Sequence, residues 1–305
     1  MKKYFLAVLI VSASLMAGPA PSESEAECFE TYSIEDKETK ESIENWKKDI
    51  FGLKPHKPNY LLPIGFSSAE YDEYVVSDHY KKIEAELQIS LKWNVGNNLF
   101  GLNESYNLAY SHNAFWQIYS SSSPFRETNY NPEFFVTFPI EDNSIINAKS
   151  LTFGLAHISN GQGNIEDTVI PTAVAEDVSA QPYLRNRSRS INYMYLDLGT
   201  QYKSLLVKAR VWIPYFGEDL SDNPDIVDYM GLTQLNLKYF FGKNLITASS
   251  RFNLKTRKGS FMSAYSYPIY DGLFLYTKLF TGYGESLIDY NNYITKFSIG
   301  FSFSR

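Results

Sequence analysis

The chain has 305 residues, is 44% hydrophobic and 16% aromatic, and carries a net charge of -6. Its mean hydropathy of -0.28 is too polar for a bundle of membrane helices, and its aromatic content is too high for a disordered chain. An acidic chain is also a poor partner for nucleic acid, whose backbone calls for cations.

The N-terminus reads as a signal peptide over residues 1–20. Lys2-Lys3 start it, Tyr4 to Met16 form an apolar stretch, and Ala17-Gly18-Pro19-Ala20 supply small residues for cleavage. The apolar stretch is too short to span a bilayer, and no longer unbroken apolar run follows it. Membrane residence then has to use strands. Removing residues 1–20, which hold two lysines and no acid, takes the net charge from -6 to -8. The single cysteine, Cys28, excludes an intramolecular disulfide and reads as an incidental thiol. Residues 21–58 are polar, with Glu35-Asp-Lys-Glu-Thr-Lys-Glu41 in their middle, and are predicted to be a solvated periplasmic segment outside the membrane.

From about residue 59 to Arg305 the chain alternates with period two. In Ile83 to Trp93 the odd positions Ile83, Ala85, Leu87, Ile89, Leu91 and Trp93 are apolar, while Glu84, Glu86, Gln88, Ser90 and Lys92 are polar. Such a run is about as long as a tilted transmembrane strand, roughly 9–11 residues. Leu205 to Ile213, Leu235 to Tyr239 and the final strand around Tyr293 to Phe303 repeat the pattern. Twelve candidate strands start near residues 60, 82, 99, 131, 146, 188, 203, 227, 244, 259, 271 and 292. The expected fold is an all-β, twelve-stranded antiparallel transmembrane β-barrel, whose even strand number leaves no edge. Short turns at Gly242-Lys243-Asn244 and Tyr270-Asp271-Gly272 belong on the periplasmic side, and the longer connections 160–187 and 216–226 on the outside. A soluble β-sandwich also alternates, but strand length, the signal peptide and the aromatic last strand favour the barrel.

Polar groups on a lipid face are costly and call for a reason. Leu151, Phe153, Leu155, His157 and Ser159 share one face, and Asn192, Met194, Leu196 and Leu198 share the corresponding face of the next strand. In an antiparallel pair, His157, Ser159 and Asn192 converge at the loop end. They supply a base, a nucleophile and a group that orients the imidazole. An amide orients without a charge that would be expensive to desolvate. Gly161 lets a backbone N–H approach a developing oxyanion.

The chain resembles the outer membrane phospholipase A family. The resemblance is carried by Ser122-Ser-Pro-Phe-Arg-Glu-Thr-Asn-Tyr130, His157-Ile-Ser-Asn-Gly161, Ser188-Arg-Ser-Ile-Asn192, Asp222-Asn-Pro-Asp225 with Tyr229-Met-Gly231, and Gly282-Tyr-Gly-Glu-Ser-Leu-Ile-Asp-Tyr290. It implies a calcium-dependent outer-membrane hydrolase of acyl esters in phospholipids and lysophospholipids, acting at either acyl position and active as a homodimer. His157, Ser159 and Asn192 match its triad and Gly161 its oxyanion donor. Ser122 (from the partner subunit), Gln162, Ser188 and Asp222 match its calcium positions, all oxygen donors of the kind calcium prefers. Three departures stand out. Gln162 occupies a place where the family usually has Arg. The 161–188 segment is longer and adds Glu166, Asp167, Glu176 and Asp177, which read as solvated. The chain ends Phe303-Ser304-Arg305 rather than on an aromatic. His112, on the apolar face of Tyr106 to Trp116, is expected at a dimer interface. The competing class is a non-enzymatic barrel, a pore or scaffold, although inward charges such as Glu84, Lys92, Lys208 and Arg210 can pair to plug a small lumen. An adhesin has no positive signal.

Overall fold

A computed structural model of the chain describes residues 37, 40, 52–71, 80–140, 146–164, 187–215 and 220–305. The expected signal peptide, Cys28 and the acids Glu166, Asp167, Glu176 and Asp177 lie outside the described residues.

The alternating segments form β1 (Tyr60–Ser67), β2 (Ile83–Asn97), β3 (Ser105–Trp116), β4 (Phe125–Pro139), β5 (Ala148–Ser159) and β6 (Ser190–Tyr202). There follow β7 (Leu205–Pro214), β8 (Thr233–Phe241), β9 (Asn244–Asn253), β10 (Lys258–Tyr270), β11 (Leu273–Gly282) and β12 (Ile294–Ser302). Each pairs antiparallel with its sequence neighbours, and β12 returns to β1, so the twelve strands close into the expected barrel. Leu151, Phe153 and Leu155 of β5 point outward and are exposed, whereas Ser150, Thr152 and Ala156 point inward and are buried. The same division around the wall makes the outside a lipid surface and the inside polar.

Three strands begin six residues from where alternation places them, each for a local reason. Leu99, Phe100 and Leu102 are apolar, but residues 99–104 form a turn before β3 at Ser105. The buried Glu104 carboxylate accepts the N–H groups of Phe100 at 2.7 Å and Leu102 at 3.0 Å and fixes the turn. Strand β4 starts at Phe125 rather than 131 because a bulge pairs Trp116 with Phe125 and Phe115 with Glu127. The extra residue turns both Arg126 and Glu127 inward, which hides the alternation. Strand β8 starts at Thr233 rather than 227 because Ile226–Met230 form a one-turn helix, α1.

The N-terminal segment also departs from expectation. Lys54 and Pro55 pair with Lys92 and Leu91 of β2, and pairing resumes at Tyr60 with Gln88. Six residues on one side oppose four on the other, and the excess enters the lumen. There the His56 ring stacks on Phe135 at 5.2 Å, and Lys57 Nζ binds Glu133 Oε1 at 2.6 Å and Asn131 Oδ1 at 2.8 Å. Residues 54–58, expected outside the membrane, therefore belong to the barrel.

Two groupings fill the lumen. On one side, Arg126 makes a two-pronged pair with Glu84 at 2.9 and 3.0 Å and also binds Asp289. Lys296 bridges Glu84 at 2.7 Å and Glu285 at 3.0 Å, and Lys278 pairs with Glu86. On the other side, beneath the ends of β5 and β6, the packing is apolar. Ile191, Trp212, Ile226, Leu287 and Tyr290 form a cluster on which Ile158 packs. Ile158 and Ile191 are the inward neighbours of His157, Ser159 and Asn192. Burying such a side chain is worth about 1.5–3 kcal/mol, so those outward-facing residues stand on a rigid backing.

Candidate active site on the outer wall

Strand register brings the expected residues together. His157 of β5 lies directly opposite Asn192 of β6, and Ser159 opposite Ser190. His157 Nδ1 and Asn192 Oδ1 are 2.8 Å apart. A carboxamide oxygen only accepts, so Nδ1 carries the proton and Nε2 is left as the base. Ser159 is two residues further along the same face, about 6.6 Å on by the rise of a strand. Its hydroxyl makes no hydrogen bond to His157, a contact that commonly closes only once substrate is bound.

Gly161 has φ +64°, and a Cβ there would lie 2.9 Å from Cε2 of Tyr130. Both conformation and space therefore call for glycine. Its N–H has no partner among the described residues and remains available to an incoming oxyanion. Tyr130 lies opposite Ser159 across the β4–β5 pair, and opposite His112 across β3–β4 with the rings 5.2 Å apart. Ser159, Tyr130 and His112 thus occupy one level of the outer wall.

Three asparagines not singled out in the sequence build the loop around these groups. The buried Asn160 donates from Nδ2 to the Arg187 carbonyl at 2.8 Å. Its Oδ1 accepts the N–H groups of Gln162 at 3.2 Å and Arg189 at 3.1 Å. Asn164 Oδ1 accepts those of Arg187 and Ser188, both at 2.9 Å. Asn223, fully buried, accepts the Ser190 N–H at 2.9 Å and ties the next loop to β6. The available signal was residue type alone, since short amide side chains favour such backbone bonds in loops.

That lacing places Ser188 Oγ 2.6 Å from Asp222 Oδ2 and holds Gln162 on the adjoining loop. The side-chain oxygen of Gln162 is taken by Arg187 Nη2 at 2.6 Å, which leaves its main-chain carbonyl as the free donor. Ser122 is exposed, with φ +58°, and makes no hydrogen bond to these residues within one copy of the chain. Among the described residues no three or more His, Cys, Asp or Glu side chains cluster to hold a metal ion. One copy thus contributes hard oxygen donors without a closed cage. Nearby, burial and the Asp225 carboxylate that accepts its hydrogen bond push the Tyr290 phenol up, so it stays a donor. The Arg189 guanidinium faces the same ring at 5.8 Å.

This arrangement has counterparts. The family model described as Phospholipase A1 matches residues 36–167 and 184–303. Phospholipase A1 of Escherichia coli strain K12 is 32% identical over 256 residues, covering 82% of this chain and 81% of its own. The Salmonella typhi outer membrane phospholipase, solved as a dimer with bound calcium, superposes with a TM-score of 0.72 at 29% identity, over 88% of this chain and 98% of that one. An asparagine-to-alanine active-site mutant of the Escherichia coli outer membrane phospholipase A superposes with a TM-score of 0.71 at 31% identity, over 86% and 97% of the two chains. Matched over most of its length in sequence and along the whole barrel in structure, the chain belongs to the phospholipase A1 family.

Proposed function

We propose that this protein hydrolyses acyl esters of phospholipids in the bacterial outer membrane, with Ser159, His157 and Asn192 as its triad. The observation that carries this is the 2.8 Å bond from His157 to Asn192 on a face that otherwise meets lipid. Ser159 Oγ attacks the ester carbonyl carbon while His157 Nε2 takes its proton. The oxyanion that forms accepts a hydrogen bond from the Gly161 N–H. His157 returns the proton to the leaving glycerol oxygen as the ester C–O bond breaks. A water then releases the fatty acid from Ser159, with His157 again as base. Asn192 holds the imidazole tautomer throughout. The active-site asparagine of the related Escherichia coli mutant supports that role.

The donor set also fits calcium in kind. The Ser188 hydroxyl, the Asp222 carboxylate and the Gln162 carbonyl are oxygens of the type it selects, but they are too few to fill its usual six to eight positions. A second subunit's Ser122 would add another, in keeping with the calcium-bound dimer of the Salmonella typhi protein. When bound, the ion would polarise the ester carbonyl or a water. Because the triad opens onto the lipid wall instead of an enclosed pocket, the same site is proposed to accept either acyl position and lysophospholipids. Residues 1–20 are proposed to direct export.

The test is fatty-acid release from mixed phospholipid–detergent micelles, with calcium and then with chelator, for wild type and Ser159→Ala. Release that needs calcium and disappears in the mutant is the expected result. Release that survives Ser159→Ala in a folded barrel would overturn the triad.

A further inference from the structure

We propose that Arg187 is the residue that recognises the phosphodiester of the substrate, a role that rests on the esterase reading of the adjoining site. Its main chain is pinned on both sides, with the N–H on Asn164 Oδ1 at 2.9 Å and the carbonyl on Asn160 Nδ2 at 2.8 Å. Its side chain makes one bond, from Nη2 to the neutral amide oxygen of Gln162 at 2.6 Å. No carboxylate of the described residues pairs with it. A guanidinium carries five donors. This one is therefore half-buried and held in place, yet meets no carboxylate among the described residues.

The other arginines near the site or in the barrel are differently employed. Arg126 is held by Glu84 and Asp289, and Arg210 by Asp197 at 2.6 and 2.8 Å. Arg251 shares Gln234 inside the lumen, and Arg189 donates to the Ser188 carbonyl at 2.7 Å. Arg187 holds Gln162, the residue after the oxyanion glycine, and precedes Ser188 in the chain. Its charge therefore stands at the outer end of the strand pair, where a lipid's polar end lies once its ester reaches Ser159. In a glycerophospholipid only a few bonds separate the acyl ester from the phosphate. A planar fork matches two phosphate oxygens at once, which an ammonium does not. Gln162 sets the plane of the fork through one donor and leaves the opposite edge to the ligand.

Two measurements test this. In mixed micelles, turnover of a diacyl phospholipid is compared with that of the diacylglycerol bearing the same chains. Arg187→Gln should lower the phospholipid-to-diacylglycerol ratio of kcat/KM about tenfold to a hundredfold, as expected for a charged hydrogen-bond pair, mainly through KM. Arg187→Lys should recover part of the ratio. The second arm does not need turnover: native mass spectrometry of the detergent-solubilised barrel measures retention of a dialkyl ether phospholipid against the dialkylglycerol. Wild type should retain the phosphate-bearing lipid preferentially, and Arg187→Gln should lose that preference. Equal preference in the two proteins, or a proportional loss on both substrates, overturns the assignment. If the ether-lipid preference depends on Arg187 while no ester is cleaved, the esterase proposal fails and Arg187 is left as a phosphate-binding residue without a substrate to recognise, which overturns its role here; the two failures are thereby told apart.

Discussion

Two regions of this barrel hold polar side chains within a membrane wall, and they are finished differently. In the lumen, Glu84 receives Arg126 through two bonds and Lys296 through a third, so its charge is met from several directions. On the outer wall, His157 has Asn192 on one nitrogen, and the Ser159 hydroxyl and the Gly161 N–H have no partner among the described residues. Compensated polar groups stabilise a fold, whereas oriented groups with open valences are available to a ligand. Both regions pay a desolvation cost, but the lumen offsets it with paired opposite charges, whereas the outer wall holds its open donors and acceptors where a lipid can reach them.

Substitutions in the two regions should separate accordingly. The largest effect is expected for Ser159→Ala, about 10⁴-fold or more in turnover, with an unchanged heat-modifiable gel shift because no internal bond is lost. Next is Arg126→Met, which removes the two-bond partner of Glu84 and the cation beside Asp289. Breaking a buried ion pair in this way costs about 3–5 kcal/mol, read from urea unfolding in micelles. Its turnover in the folded fraction should change far less than its stability. Gly161→Ala adds a Cβ against Tyr130 and displaces the oxyanion donor. Losing such a donor costs about 10²–10³ in kcat, measurable on a soluble thioester. Asn192→Ala should lower kcat about 10–100-fold, since it frees the imidazole without removing the base, and Asn192→Asp should recover part of the loss. If Arg126→Met abolished turnover in fully folded barrels, or Ser159→Ala weakened the fold by several kcal/mol, the division between the two regions would be wrong. Planar-bilayer recordings sharpen the same contrast: a lumen filled by paired charges should conduct no steady ion current.

The outer wall was the more legible region. Period two alone put His157, Ser159 and Asn192 on one face, and register then set His157 opposite Asn192. The lumen was far less so, because its partners are distant in sequence. Glu84 and Lys296 are separated by 212 residues, and nothing local to either announces the other. Arg126 was hidden by the bulge that brings it inward beside Glu127. Residues 99–104 misled because their apolar side chains resemble a strand. In fact Leu99, Phe100 and Leu102 are 70, 77 and 59% exposed on a turn held by Glu104. Ile226–Met230, rich enough in apolar residues to pass for a strand, instead caps the lumen as α1. The proposed calcium positions were legible only through family resemblance. The placement of Gln162, Ser188 and Asp222 depends on Asn160, Asn164 and Asn223, whose backbone bonds leave no periodic trace.

The closure of the sheet has a consequence for how long the protein lasts. The seam joins the first strand to the last, and Asn59 adds to the strand pairing there. Asn59 bonds Ser304 Oγ through its N–H at 2.9 Å and through Nδ2 at 2.8 Å, and its carbonyl accepts Phe303 N–H at 2.7 Å. The same side chain accepts the Ser90 N–H at 2.6 Å, so β2 is fastened to the seam as well. A closed barrel has no fraying end from which to unravel, and this seam is the one line that chain connectivity does not reinforce. Opening there requires these bonds to break together. Loosening the seam is therefore expected to raise the rate of unfolding, a kinetic rather than an equilibrium effect. Asn59 thus extends the β12–β1 ladder past its last pair and ties a third strand into it.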